Sequence, residues 1–304
     1  MADDSTVVKS LRATKRYAVF GLTVESEIEL PGLIASQDMP EGHIVFGKVP
    51  EHLDMIVEKT PWFEVAPRRL LLRIDKIARY YVEDGKYIVI EPCQNAQAED
   101  IAVFLLDTVF AALLQQRGFF ALHGSAVVVE GKAVILLGAS SVGKTTIALA
   151  LHDRGCPLLA DEVCAIGMRD GNAVVFPGVP QLNIWEDTLL AAGKDVSGYR
   201  PIRQGLGKYV FRVEDRFCEE AVGLTNIVLL KGHNREAFEV ETIRGGAKFE
   251  SLLKNAFFAE TAADRSRLFG LCAAASASRV VQVTFNNRTH DLDSAADFIL
   301  KELA

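Results

Sequence analysis

A glycine-bounded loop lodged between an apolar run and a helix-forming run constrains this chain more than any other feature. Ala133-Val-Ile-Leu-Leu137 leads directly into Gly138-Ala-Ser-Ser-Val-Gly-Lys-Thr-Thr146, and Ile147 to Arg154 continues with helical character as far as Gly155. Gly138, Gly143, Lys144 and Thr145 fit G-x-x-x-x-G-K-[ST], a match that a chain of this length yields by chance roughly once in a hundred. The strand-to-helix setting sharpens it, because phosphate binding needs both neighbours. Glycines let backbone N–H groups converge on phosphate oxygens, and the helix that follows points its positive end at the same anion. The stretch Gly138, Ala139, Ser140, Ser141, Val142, Gly143, Lys144, Thr145 and Thr146 is therefore expected to hold the phosphates of ATP. Lys144 would bridge the β- and γ-phosphates, and the Thr145 hydroxyl would ligate Mg²⁺.

What surrounds the loop extends the expectation to a mixed α/β core. Ser125-Ala-Val-Val-Val129, a Glu130-Gly131 turn and Ala133 to Leu137 read as a hairpin of buried strands. Beyond the helix, Pro157-Leu-Leu-Ala160 reads as a strand ending in Asp161-Glu162. With only one helix between Lys144 and Asp161, the two flanking strands are predicted to be parallel neighbours. Asp161 and Glu162 then fall where a P-loop protein places its metal-directed acid. Two adjacent carboxylates allow two tasks: one organises Mg²⁺ and one accepts the proton of an attacking hydroxyl. His123 opens the hairpin strand and is a further candidate near the phosphates. A basic cluster, Arg200, Arg203, Lys208 and Arg212, surrounds Gly205-Leu-Gly207, and Arg203 is the candidate for closing over transferring phosphoryl oxygens. Further strands are expected at residues 173–176, 227–230 and 280–285, and helices near 249–258 and 294–303.

The first part of the chain has a different texture. Short apolar runs broken by turn residues fill residues 17 to 90, and Arg79-Tyr-Tyr-Val82 and Tyr87-Ile-Val-Ile90 flank an Asp84-Gly85 hairpin signal. The reading is a small antiparallel β-rich domain over 1–95, followed by a P-loop kinase domain over 96–304 that opens on a helical run ending at Arg117-Gly118. The chain's 304 residues carry a formal charge of −7, the wrong sign for a nucleic-acid partner. Five cysteines without a C-x-x-C pair indicate neither a disulfide framework nor a zinc site, and point to a reducing cytoplasm. The acidic opening MADDSTVVKS lacks the pattern of a signal peptide. The most apolar stretch, Ile101 to Leu114, is interrupted by Asp107 and falls short of the ~20 residues of a membrane span, so no membrane partner is expected.

Leu122-His-Gly-Ser-Ala-Val-Val-Val129, the Gly138–Thr145 loop and Arg154-Gly-Cys-Pro-Leu-Leu-Ala-Asp-Glu162 resemble, in order and spacing, the core of HPr kinase/phosphorylase and its relatives. Phosphoenolpyruvate carboxykinase is similar at a greater distance. The resemblance spans about residues 119 to 215. It implies ATP phosphates on Gly138 to Thr146, Mg²⁺ near Thr145 and an acid of the pair, Asp161 as base, His123 in support of the acids, and assembly into homo-oligomers. Two positions depart from the family pattern: Ala139 stands where Asp is common, and the acid pair is Asp-Glu instead of Asp-Asp. Their downstream arginine- and glycine-rich signature is missing, which leaves the reverse, phosphorylase activity unassigned. Phe20 to Leu33 and Phe176 to Glu186 are similar to a subgroup found with lasso-peptide biosynthesis genes, whose members phosphorylate a serine of the precursor peptide.

The expectation is an ATP- and Mg²⁺-dependent kinase that phosphorylates a serine of a peptide or small protein, most simply a lasso-peptide precursor. HPr itself is the second acceptor class. A nucleotide-sensing ATPase without peptide transfer is the competing reading; a GTPase is disfavoured because no Asn-Lys-x-Asp motif occurs.

Overall fold

The computed structural model describes residues 14–203, 205–213, 215–233, 238–258, 265–286 and 292–303. Nine strands between Lys15 and Pro92 form one sheet. That sheet is larger than the sequence suggests, and not wholly antiparallel: Gly42–Phe46 runs parallel to Leu22–Ser26 on one side and to Tyr87–Pro92 on the other. The anticipated hairpin is Ala78–Glu83 with Tyr87–Pro92. Asp84 and Gly85 sit at its turn with φ of 56° and 63°, the pair of positive angles that a right-twisted hairpin requires. Alternate residues of these strands, including Tyr80, Val82, Ile88 and Ile90, are buried in one core.

A helical run covers that core. It is helical over Ala98–Phe104, a π turn over Leu105–Val109, and helical again over Phe110–Gln116. Phe110, Leu113 and Leu114 pack into the sheet, and Tyr80 donates its hydroxyl hydrogen bond to the Ile101 carbonyl at 3.0 Å. Gly118, at φ 83°, ends the run as the sequence leads one to expect. The same core takes in Val163, Ala165 and Phe176 from the following sheet, so the nine strands and the P-loop region share buried surface.

The second sheet carries the loop. Phe120–Val129 and Lys132–Gly138 form the anticipated hairpin, with Val127 opposite Val134. Lys132–Gly138 pairs on its other side, in parallel, with Val222–His233, which in turn lies parallel to Arg279–Asn286. Leu158–Arg169, the strand bearing the acids, is parallel to Lys132–Gly138 but is not its neighbour. Phe120–Val129 lies between them, antiparallel to both. The expected adjacency fails because the hairpin already occupies that edge of the loop's strand; the helix Lys144–Asp153 crosses over one strand, not zero. Asn172–Phe176 pairs with Leu158–Arg169 and with the start of Val222–His233, so the pairings run in a closed ring of five strands.

The P-loop helix, Lys144–Asp153, buries Ile147, Ala148 and Leu151 against Val127, Leu136 and the C-terminal helix Leu292–Glu302. Its last turn is tied down by Arg154, which pairs with Asp293 and Asp297 of that helix. A third, three-stranded sheet, Gln181–Trp185, Lys208–Arg212 and Arg200–Pro201, lies over the acid end of the core. Among the described residues no helix is long and apolar enough to cross a membrane.

Candidate active site

The loop has the backbone of an anion cradle. Gly138 (φ 147°), Ser141 (63°) and Gly143 (108°) all adopt positive φ. A Cβ on Gly138 would meet the Leu230 carbonyl at 2.6 Å, so glycine is required there by space as well as by conformation. Lys144 is buried and folds back over the loop, its Nζ donating to the Gly138 and Ala139 carbonyls at 2.9 and 3.1 Å. Burial lowers its pKa, and the Glu162 and Asp161 carboxylates act against that shift.

Asp161 is buried and held at three points. Ser125 Oγ donates to Oδ1 at 2.6 Å, Thr145 Oγ1 donates to the same oxygen at 3.2 Å, and the Asn183 backbone N–H donates to Oδ2 at 3.0 Å. Ser125 reaches it because the register of Phe120–Val129 against Leu158–Arg169 sets Ser125 opposite Asp161. Even so, burial and the adjacent Glu162 carboxylate raise the Asp161 pKa well above the ordinary carboxylate range. A carboxylate so poised is suited to accepting a proton near neutral pH.

Glu162 breaks the strand's alternation. Its φ of 66° is left-handed in the middle of a strand, a conformation costing a non-glycine residue about 1–2 kcal/mol. In a regular strand Asp161 and Glu162 would face opposite sides. Here both line one cavity. Strain held at such a position is a mark of function. Glu162 Oε1 accepts from Lys208 Nζ at 2.6 Å, and its Oε2 lies 3.9 Å from His123 Nδ1. His123 packs edge-on against Phe257, and burial followed by the Lys144 charge lowers its pKa. The glycine after it, Gly124, is demanded by packing: a Cβ there would meet the Leu136 carbonyl at 2.6 Å.

Of the basic cluster, Lys208 ion-pairs with Glu162, and Arg200 lines a cavity that both acids also line. Lys208 also lies 5.7 Å from the centre of the Trp185 ring. Arg203 is exposed on the turn between Arg200–Pro201 and Lys208–Arg212, and lines neither cavity described below. The two-residue strand Arg200–Pro201 turns residue 203 outward, whereas Lys208 opens the longer strand and points back to the acid pair. Trp185 and Asn183 lie within the Phe176–Glu186 stretch, but nothing in the sequence gives either a role at the site; the hydroxyl of Ser125 is marked only by following His123-Gly124.

Two cavities share Glu162 in their walls. One, of about 440 Å³, is walled by the glycine loop, Lys144, Thr145, His123, Trp185, Lys208 and Glu162. The other, of about 300 Å³, is walled by Asp161 and Glu162 together with residues of the N-terminal sheet, the helical run and the three-stranded sheet. Thr145 and Glu162 offer the first cavity a hydroxyl and a carboxylate oxygen. These hard oxygen donors, completed by phosphate oxygens, fit Mg²⁺, which takes few protein ligands. Among the described residues no three His, Cys, Asp or Glu side chains cluster as a metal cage of their own.

Fold and site together define a mixed α/β protein in which a glycine loop between strand and helix lies beside a buried Asp161 and a partly buried Glu162. Comparison with known proteins finds partial likenesses around this site. The chain is 37% identical over 75 residues to HPr kinase/phosphorylase of Treponema pallidum, covering 25% of this chain and 22% of that protein. It is 44% identical over 71 residues to HPr kinase/phosphorylase of Lactobacillus acidophilus, 23% of this chain and 21% of that one. Over the matched stretch the chain is a relative of HPr kinase/phosphorylase; it spans about a fifth to a quarter of the length of these curated relatives. No family model matches. Among solved structures, the Hpr(Ser) kinase/phosphatase of Coxiella burnetii aligns over 60% of this chain and 95% of its own, with 14% identity and a TM-score of 0.34.

Proposed function

We propose that the protein is an ATP- and Mg²⁺-dependent kinase that transfers the γ-phosphoryl group to a serine hydroxyl of a peptide or small protein. The observation that carries this reading is the Thr145–Asp161 hydrogen bond, which joins the phosphate loop to a buried carboxylate of raised pKa. In the reading, backbone N–H groups of residues 138–146 and the Lys144 ammonium hold the triphosphate. Thr145 and Glu162 would hold Mg²⁺, which neutralises developing charge on phosphate oxygens when bound. Asp161 accepts the proton of the serine hydroxyl as its oxygen bonds to the γ-phosphorus; the bond to the bridging oxygen breaks and its electrons leave with ADP. Lys208 keeps Glu162 in place and adds positive charge beside the transferring group. His123 flanks Glu162 in the wall of the same cavity.

The similarity of residues 20–33 and 176–186 to the lasso-associated subgroup supports a precursor peptide as acceptor. The curated relatives, named for HPr, make HPr the acceptor to test beside it. Incubation with ATP, Mg²⁺ and each acceptor, read by mass spectrometry, should yield ADP and phosphoserine in equal amounts. ADP without phosphopeptide for every acceptor would favour the nucleotide-sensing ATPase. Lys144→Ala should lower transfer about 10²–10³-fold, as expected for losing a fixed charge on the transferring group.

A further inference from the structure

The cavity of about 300 Å³ has no nucleotide-loop residue in its wall, yet it reaches both acids. It is built where the three parts of the molecule meet. Glu29, Leu30 and Pro31 come from the N-terminal sheet region, Val103 and Asp107 from the helical run, and Arg200 and Ile202 from the three-stranded sheet. Its volume is at the lower end for ligand pockets, enough for one or two side chains of an extended peptide and too small for a folded surface to enter.

We propose that this chamber is the acceptor subsite, that it admits a hydroxyl-bearing segment with neutral or basic apolar neighbours, and that Asp107 is the group that positions it. The proposal rests on the kinase reading above and names the acceptor side of the same site.

Three observations carry it. First, Asp107 Oδ1 is shielded from solvent and has no hydrogen-bond partner, a state that costs about 1–3 kcal/mol unless an incoming group satisfies it. Second, Asp107 sits at the centre of the π turn Leu105–Val109, an irregularity that re-aims side chains and recurs at functional sites. Third, the wall carries five carboxyl groups, Glu29, Glu99, Asp107, Asp161 and Glu162, against the single guanidinium of Arg200. Lys15 and Lys208 pair with Glu29 and Glu162, and with Asp107 protonated four carboxylates face three cations, so the chamber keeps a small net negative charge. Such a lining repels an acidic peptide and accepts a neutral or basic one. Burial and the nearby Glu162 charge push the Asp107 pKa up to about 7, so the group can donate to a hydroxyl or carbonyl oxygen. Between Asp107 and the base Asp161, the wall then offers an oxygen-directed contact on each side of an entering hydroxyl.

The test uses the full-length protein and a positional-scanning library of serine peptides, with ATP affinity measured in parallel. Peptides with Asp or Glu beside the serine should be phosphorylated at least about tenfold less well than those with apolar or basic neighbours. Asp107→Leu should raise the peptide KM about tenfold and leave the ATP KM unchanged, and Asp107→Asn, which retains a donor, should restore it. Val103→Trp, which fills the chamber, should abolish peptide transfer with ATP affinity retained. Wild-type peptide KM in both Asp107→Leu and Val103→Trp, or a preference for acidic peptides, would overturn the subsite and leave the kinase reading standing. ATP turnover by the wild type with no peptide labelled would overturn the kinase reading and the subsite with it.

Discussion

Lys208 and Arg203 stand five residues apart in one basic cluster, and only their placement tells them apart. Lys208 is a partly buried partner of Glu162, whereas Arg203 is exposed on a turn. Lys208→Met should slow phosphoryl transfer by about tenfold or more, since it removes a low-dielectric charge and leaves Glu162 unpaired. Arg203→Ala should stay within about twofold, as surface charges away from a site do. Steady-state kinetics on the two variants make the comparison. In the sequence the four cations look alike, because charge type is visible and the turn that sorts them is not. Asp107 shows the same limit: by itself it stands out only as a charge that interrupts an apolar run, and the π turn that aims it into a cavity leaves no motif.

The loop, its helix and the hairpin before it follow directly from local pattern. Apolar alternation, Gly at positions of positive φ and the helix start all act over a few residues, so they can be read from a short window. The His123-Gly124 signature gains a physical reason in the structure. Gly124→Ala would drive a Cβ into the Leu136 carbonyl, and should cost about 1–3 kcal/mol of stability, readable as a fall in Tm. Strand order was less legible. The spacing of Lys144 and Asp161 correctly implies a single crossover helix and parallel strands, but the intervening place of Phe120–Val129 depends on which edge the hairpin occupies. The strands Gln181–Trp185 and Lys208–Arg212 pair across a long connection, and the helix Arg265–Ser276, rich in small residues, lacks an amphipathic stripe to announce it.

The two cavities share Glu162, and the N-terminal sheet contributes wall to the one without the loop. This joint construction explains why carboxylates accumulate at one buried place, and it makes stability depend on pH. The folded-state pKa of Asp107, about 7, lies above its ordinary value of 3.8, so the folded protein holds a proton that the unfolded chain releases. That contribution is complete below pH 4 and is lost as pH rises through 7. Without nucleotide, Tm should fall more steeply between pH 5 and pH 8 in the wild type than in Asp107→Asn. Equal slopes would show that Asp107 does not titrate in that window.

The central claim is that Asp161, tied to the phosphate loop through Thr145, takes the proton of the acceptor hydroxyl. Single-turnover phosphoryl transfer by Asp161→Asn, with ATP affinity measured on the same protein, tests it most directly. The account predicts ATP affinity within a few-fold of wild type and transfer slowed at least about a hundredfold, the low end for loss of a general base. Transfer by Asp161→Asn at close to the wild-type rate would contradict it.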